Sequence, residues 1–275
     1  MPDEFTPLRV VVLTSHSAPG LEYAIAHTHR GALFEIAAVV SCEDTFAEID
    51  AVEAAQIRVV IRPLKRALAD RGLSARNLHA RADYDGETAD LLLHFRADYV
   101  FLLGYNYIVT EPLLEAFPQK LIALHPGDLM LRDENGQRRY AGLRAVREAI
   151  FAGEIETRNS AYFVTREVGA GPLFLLSRPY RVAPLALDAR MWGAADLSSA
   201  YADLHQRWMV RAGWGEMFIR AIEFLAAGTV KVVHDLVWID GVPGPCRMGE
   251  APVICRELEP SIDSGIPSSC PLLRN

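Results

Sequence analysis

The stretch Lys120-Leu-Ile-Ala-Leu-His-Pro-Gly-Asp128 joins a short run of apolar residues to a single histidine. Branched apolar residues that stop at a Pro-Gly pair are typical of a buried strand followed by a turn. The pattern therefore predicts a strand that has His125 at its exit. In open α/β sheets, ligands bind at the carboxyl ends of the strands. His125 is accordingly the first candidate for a catalytic residue.

Strand-like and helix-like segments alternate on the N-terminal side of this stretch. Apolar, β-branched runs predict strands at residues 8–14, 34–41, 58–62 and 99–103, and apolar residues at helical spacing lie between them. The runs are apolar throughout, as expected for strands that are buried on both faces of a parallel sheet. The sequence therefore predicts an α/β fold with a doubly wound, mostly parallel sheet.

The sequence after His125 continues with further strands and a long helix. The polar segment 132–139 predicts an exposed hairpin tip or flap. Two strands are predicted at 160–167 and 172–182, a helix at 196–228 and a late strand at 230–240. We therefore expect one α/β domain over residues 1–228 and, over residues 229–275, a C-terminal extension made of a strand and a loosely packed, irregular tail.

The composition limits the classes of partner. The chain has 275 residues, is 51% hydrophobic and has a formal charge of -7, so we expect no nucleic-acid partner. No apolar run is long enough to span a membrane, and the first residues are acidic where a signal peptide would be basic, so we expect a cytoplasmic protein without a membrane partner. We also expect a small-molecule substrate and leave a homodimer open. The spacing of the cysteines supports neither a disulfide scaffold nor a metal site; they are Cys42, Cys246, Cys255 and Cys270.

Two blocks of sequence carry a family resemblance. Leu91-Leu-Leu-His-Phe-Arg-Ala-Asp-Tyr-Val-Phe-Leu-Leu-Gly-Tyr105, followed by residues 113–126, resembles the glycinamide ribonucleotide formyltransferase family and its relatives that use 10-formyltetrahydrofolate. Residues 149–153 and 160–173 match the family's second motif block in order and spacing. The resemblance covers residues 8–228. It implies a formyltransferase-type fold, formyl transfer to an amine, and 10-formyltetrahydrofolate as the cofactor.

The resemblance also implies a catalytic set from which this chain departs. Family members carry an asparagine two residues before the histidine, a second histidine on a later strand, and an aspartate in the loop that follows. Those positions hold Ala123, Tyr162 and Gly169 here. In the family, the asparagine amide helps to hold the formyl oxygen as it becomes an oxyanion, and the aspartate orients the histidine and a water. Of the Asn, His and Asp set, only His125 remains.

Two nearby carboxylates are candidates to replace the missing aspartate. Asp128 lies three residues after His125, and Glu167 lies two residues before Gly169. Either one is a relocated acid/base partner of the imidazole or a loop carboxylate that caps a turn. We take Asp128 as the stronger candidate for a catalytic residue beside His125.

The resemblance assigns the folate pocket to the loop after the strand at 99–103, where main-chain groups bind the pterin. The corresponding residues are Tyr105, Asn106, Tyr107, Ile108 and Val109. The two tyrosines are alternatively ordinary packing residues.

The acceptor side differs from purine-pathway members. Thr14-Ser-His-Ser-Ala-Pro-Gly20 replaces their glycine-rich phosphate cradle, so we do not expect glycinamide ribonucleotide as the acceptor. Ser15 and His16 in this loop, and Tyr140 and Gly142 after the polar flap, are the candidate substrate-binding residues.

Three functions remain open at the level of sequence. The first is transfer of a formyl group from 10-formyltetrahydrofolate to the amine of an unidentified small molecule, with a degenerate catalytic set. The second is a folate-independent hydrolase or lyase that uses His125 and Asp128 as acid and base. The third is a non-catalytic binding or regulatory protein that keeps the fold without the chemistry.

Overall fold

The computed structural model describes residues 6–255. The strands are β1 (Leu8–Thr14), β2 (Phe34–Ser41), β3 (Val59–Ile61), β4 (Tyr99–Leu102), β5 (Leu121–His125), β6 (Glu156–Thr157), β7 (Ser160–Phe163), β8 (Leu173–Leu176), β9 (Tyr180–Arg181), β10 (Val230–Val233), β11 (Leu236–Ile239), β12 (Val242–Pro243) and β13 (Cys246–Arg247). The helices are α1 (Leu21–Ala26), α2 (Ile49–Ala54), α3 (Leu64–Ala69), α4 (Leu78–His94), α5 (Glu111–Ala116), α6 (Ala145–Ala152), α7 (Pro184–Met191) and α8 (Ala195–Ala226).

The central sheet has eight strands in the order β13-β8-β7-β5-β4-β1-β2-β3. The strands from β3 to β5 are parallel, β7 is antiparallel to both β5 and β8, and β13 is parallel to β8. This confirms the predicted α/β fold with a doubly wound, mostly parallel sheet. The strand order reverses between β1 and β4, so the loops after these two strands diverge and leave a crevice.

Both faces of the sheet are covered by helices, which explains why its central strands are apolar throughout. Along β1, Val10 and Val12 pack in a cluster that includes residues of α1, α2 and α8, whereas Val11 and Leu13 pack in a second cluster with residues of α4 and α5. Successive side chains of a strand point to opposite faces, so one strand supplies both layers. None of the helices within residues 6–255 has the length and apolar composition needed to cross a membrane.

The C-terminal extension is more ordered between residues 229 and 255 than the sequence predicted. The late strand expected at 230–240 is a hairpin of β10 and β11, to which β12 adds. Val237 and Ile239 are buried in the same cluster as α8, and β13 forms an edge of the central sheet. The segment is therefore attached to the main core through these few residues, while most of its side chains are exposed or half-buried. The last part of the predicted tail, with Cys270, lies outside the described residues.

Candidate active site

His125 is the last residue of β5, and its ring is held by a main-chain carbonyl just after the flap, the segment 132–139. The Nε2 atom lies 2.8 Å from the carbonyl oxygen of Tyr140. Because a carbonyl oxygen only accepts hydrogen bonds, Nε2 carries the proton and the lone pair of the neutral ring is on Nδ1. Nδ1 has no hydrogen-bond partner among residues 6–255. The imidazole is therefore oriented by one nitrogen and free to accept a proton at the other.

The surroundings of His125 favour its neutral form. Burial lowers the pKa of His125, the hydrogen bond to Tyr140 opposes this effect, and the positive charge of Arg138 lowers the pKa further. Desolvation acts in this direction because it disfavours the charged imidazolium. At neutral pH the ring is thus a base rather than an acid.

The contact between His125 and Tyr140 depends on a glycine between them. A Cβ on Gly127 would lie 2.6 Å from the Tyr140 oxygen and 2.8 Å from Nε2 of His125. Such distances are not compatible with a side chain unless the backbone moves. The Pro-Gly pair after β5 therefore does more than end the strand, because it lets the flap approach the ring.

His125 opens into a cleft of about 490 Å³ at the reversal point of the sheet. All five residues of the predicted folate loop line this cleft together with His125, and so do Ala123, Tyr162 and Gly169, the three positions at which the resemblance implies a departure from the family. The loop residues are Tyr105, Asn106, Tyr107, Ile108 and Val109. The structure thus brings the candidate cofactor loop and the histidine into one cavity.

Buried charges on α4 hold the loop in position. Asp85, which is 1% exposed, accepts hydrogen bonds from the main-chain N–H and the hydroxyl of Thr110, both at 2.7 Å. Arg81, one helical turn earlier and 3% exposed, donates to the carbonyl oxygen of Ile108. Burial raises the pKa of Asp85, and hydrogen bonds from Thr110 together with nearby arginines oppose this effect.

The loop offers its main chain to the cleft while its tyrosine side chains serve mainly in packing. The Tyr107 hydroxyl donates to Glu43 at 2.7 Å, and Tyr105 packs against two apolar clusters. The main-chain groups of Tyr107 and Val109 have no hydrogen-bond partner within the described chain. They are consequently available to a ligand with donors and acceptors along one edge.

The two carboxylates proposed as partners of His125 do not reach its ring. Asp128 accepts a hydrogen bond from the main-chain N–H of Met130 at 2.9 Å, and its other oxygen lies 3.9 Å from Nε of Arg158. Glu167 is exposed on the loop after β7, and neither carboxylate lines the cleft. The structure does not form the expected contact between Asp128 and His125; the ring bonds to the Tyr140 carbonyl instead.

The loop after β1 contributes to the cleft through residues other than those predicted. Ser15 is buried and accepts a hydrogen bond from the main-chain N–H of Asn106 at 3.0 Å, whereas His16 is 70% exposed and lies near Glu43. Neither residue lines the cleft; Ser17 and Pro19 do. Ser15 thus holds the loop after β4 in the structure, His16 lies outside the cleft, and substrate binding by either residue stays a prediction.

One main-chain donor of this loop is already occupied by the protein. The N–H of Ala18 donates at 2.7 Å to the carboxylate of Glu48, the residue directly before α2. A phosphate bound at this loop would compete with that carboxylate for the donor and would be repelled by its charge.

Neither of the two substrate-binding candidates after the flap, Tyr140 and Gly142, lines the cleft, so their role stays a prediction. The Tyr140 side chain is buried and its hydroxyl donates to Glu154 at 2.8 Å, so Tyr140 serves the site through its carbonyl. Gly142 is exposed and does not line the cleft, whereas its neighbours Ala141 and Leu143 do.

Two features of the site were not predicted from the sequence: an arginine beside the cleft lining and a set of lining residues on α8. Arg138, in the polar flap, donates to the carbonyl oxygens of Gly169 and Gly171, the latter at 2.7 Å, and so ties the flap to the loop after β7. The second feature is a set of cleft residues on one face of α8. Their helical spacing is the signal in the sequence that could have identified them. They are Gln206, Arg207, Val210 and Trp214. Within the described residues, no group of histidines, cysteines or carboxylates has the arrangement of a metal site.

Comparisons with a family model, with related sequences and with solved structures all point to the same family. The formyl transferase model matches residues 8–212. Phosphoribosylglycinamide formyltransferase of Haemophilus influenzae is 26% identical over 170 residues, covering 62% of this chain and 72% of that protein. Formyltetrahydrofolate deformylase of Escherichia coli O6:H1 is 26% identical over 168 residues, covering 61% and 52%. A solved phosphoribosylglycinamide formyltransferase from Coxiella burnetii superposes with a TM-score of 0.62 at 22% identity, covering 88% of this chain and all of that one, which supports the fold.

Proposed function

The chain belongs to the formyl transferase family, and from this premise we propose that it binds 10-formyltetrahydrofolate beside His125 and transfers the formyl group to a small-molecule amine. The observation that carries the proposal is the single cavity shared by His125 and the loop from Tyr105 to Val109. Family membership supports the cofactor class, and the cavity supports its position.

The residues present fit the cofactor. A volume of about 490 Å³ is in the range of small-molecule sites, and the lining combines apolar walls with a few polar groups. The unpaired main-chain groups of Tyr107 and Val109 suit a flat ring that has donors and acceptors along one edge. When bound, 10-formyltetrahydrofolate supplies an activated one-carbon group on a nitrogen.

His125 would serve as the base of the site. Its Nδ1 lone pair accepts a proton from an amine nucleophile, while Nε2 stays bonded to the Tyr140 carbonyl. The imidazolium formed in this way has no carboxylate partner, because every residue that lines the cleft within residues 6–255 is neutral or basic. We therefore expect a slow enzyme.

The acceptor proposed here is an amine without a phosphate. The carboxylate of Glu48 occupies a main-chain donor of the loop after β1, where it would compete with a phosphate. The mouth of the cleft is apolar, since Leu143 and Val168 line the cavity and are 82% and 60% exposed. Exposed apolar side chains at the mouth of a cavity favour a ligand with an apolar part. Arg207, exposed beside them on α8, is a cation available to a carboxylate.

The experiment that tests this function is a product assay with three arms. Purified protein is incubated with 10-formyltetrahydrofolate and a panel of carboxylated, apolar primary amines; the tetrahydrofolate formed is followed by absorbance and the formylated amine by mass spectrometry. We expect an N-formylated product from at least one amine, and loss of turnover in His125→Ala.

The second arm omits the amine, and formate release there would reassign the protein to deformylation, the activity named for one relative. The third arm replaces folate and amine with a panel of esters and amides, and turnover there would support the folate-independent hydrolase. Folate that stays intact in the first two arms, with no turnover in the third, would favour the binding protein.

A further inference from the structure

Tyr162 lies directly beside the position of the missing amide. Strand β7 pairs antiparallel with β5 in a register that sets Tyr162 opposite Ala123. Side chains of residues directly opposite in a sheet lie on the same face, with Cβ atoms about 5 Å apart. Both residues line the cleft next to His125.

The half-buried Tyr162 differs from two buried tyrosines of the described chain in its hydrogen bonding. The hydroxyls of Tyr84 and Tyr140 donate to Arg62 and Glu154, respectively. The Tyr162 hydroxyl has no hydrogen-bond partner among residues 6–255, although its ring packs against two apolar clusters. A donor left open on the wall of a cleft is available to a ligand.

A positive charge lies near this hydroxyl. Arg138 is fixed by its bonds to the carbonyl oxygens of Gly169 and Gly171, and its Nε atom is buried without a partner. Burial raises the pKa of the Tyr162 phenol, and the charge of Arg138 opposes that effect. A positive charge that acts on a phenol makes its O–H a stronger hydrogen-bond donor, since it stabilises negative charge on the oxygen.

We propose that the Tyr162 hydroxyl donates a hydrogen bond to the oxygen of the one-carbon group, in the place of an amide at position 123. This inference rests on the function proposed above. The oxygen of a carbonyl gains negative charge when its carbon is attacked, and a fixed donor stabilises that charge more than it stabilises the ground state. Tyr162 is then a catalytic residue, and Arg138 is a positioning residue that acts through it.

Tyr162→Phe removes the hydroxyl and leaves the ring, so it separates this role from packing. We expect kcat to fall on the order of 10²-fold with the folate affinity unchanged. Tyr99→Phe is the matched control, since Tyr99 is a partly buried tyrosine of β4 that does not line the cleft. Ala123→Asn in the Tyr162→Phe background should restore activity at least tenfold, because it installs a donor opposite the lost one. Wild-type kcat in Tyr162→Phe would overturn the proposal.

A binding measurement judges the same residue without turnover. The probes are two folate analogues, one with a hydrated aldehyde in place of the formamide, which mimics the attacked carbon, and one with a methyl group there. Wild-type protein should prefer the hydrated aldehyde, and Tyr162→Phe should lose at least tenfold of that preference while Tyr99→Phe keeps it. An unchanged preference in Tyr162→Phe would overturn the role of Tyr162 and leave the folate site standing. If neither analogue binds the wild-type protein, the proposed function and this inference both fail.

Discussion

The Nε2 atom of His125 is bonded to the main-chain carbonyl oxygen of Tyr140 at 2.8 Å, where a family member would use a carboxylate near the ring. A carbonyl fixes the tautomer as a carboxylate does, but it carries no charge to stabilise the imidazolium. The site thus keeps an oriented base and loses part of its electrostatic support.

The rate should depend on the protonation of His125. Burial and the charge of Arg138 lower the pKa of the ring below its ordinary value of 6.5, so kcat/KM should rise with pH through an acidic limb and level off near neutral pH. Arg138→Gln removes one of the causes of the lowered pKa and should move the limb to higher pH. Arg132→Gln, in the same flap, is the control with the same loss of charge. A limb that stays in place in Arg138→Gln would contradict the assignment of His125 as the base.

Gly127→Ala should damage the site more than the fold. The added methyl would lie 2.6 Å from the Tyr140 oxygen and 2.8 Å from Nε2 of His125, so the hydrogen bond between them must break or the turn must move. We expect turnover to fall at least tenfold and the free energy of unfolding to fall by about 1–3 kcal/mol. Gly86→Ala in α4 is the control, because its nearest neighbour is the Pro112 side chain at 3.8 Å. Full activity in Gly127→Ala would show that the Tyr140 contact is dispensable.

Acid should destabilise the protein partly through His205. This residue is fully buried, its nitrogens lie 2.9 Å from the Thr157 hydroxyl and 3.0 Å from that of Tyr201, and burial lowers its pKa to about 4. Between pH 6.5 and 4 the unfolded chain binds a proton that the native state does not, so stability is lost as the pH falls, by about 3 kcal/mol at most.

Urea unfolding at several pH values measures this dependence. His205→Gln keeps a polar side chain without the titration and should flatten the profile in that window, whereas His79→Gln, at an exposed position, should leave it unchanged. Equal slopes for wild type and His205→Gln would rule out His205 as the acid-sensitive group.

Asp85→Ala should weaken folate binding from outside the cleft. Asp85 does not line the cavity, yet it accepts both hydrogen bonds from Thr110 at the end of the folate loop. Its removal leaves the Thr110 donors unpaired, and we expect a loss of about 1–3 kcal/mol in stability together with a higher Kd for tetrahydrofolate. Asp83→Ala, on an exposed face of the same helix, is the control. An unchanged Kd in Asp85→Ala would mean that the loop does not hold the ligand.

The elements that could be predicted from sequence are those with local signals. The apolar runs that end at Gly104 and at Pro126-Gly127 located β4 and β5, and hence the end of the sheet at which the cleft opens. The parallel arrangement followed from strands that are apolar on both faces. His125 and the loop after β4 were found in this way because both directly follow a strand.

The contacts within the site carry no local signal. The hydrogen-bond partner of His125 is the main-chain carbonyl of Tyr140, 15 residues later and just after the flap. Any residue type could supply such a carbonyl. Arg138 is one of several arginines in a polar loop, and only the closure of that loop on Gly169 and Gly171 distinguishes it. Asp128 is near His125 in sequence, which predicts a contact between them, but its carboxylate instead accepts a hydrogen bond from Met130. Long-range packing, rather than residue type, decides these contacts.

The most direct test of the central claim is a titration of the purified protein with tetrahydrofolate, followed by the fluorescence of its tryptophans and by calorimetry. Trp214 lines the cleft, so a ligand in the cavity should change its emission. We expect saturable, one-to-one binding in the micromolar range. The fluorescence change should be lost in Trp214→Phe, while the calorimetric signal remains. Absence of saturable binding at millimolar folate would contradict the account, because the cleft beside His125 would then not be a folate site.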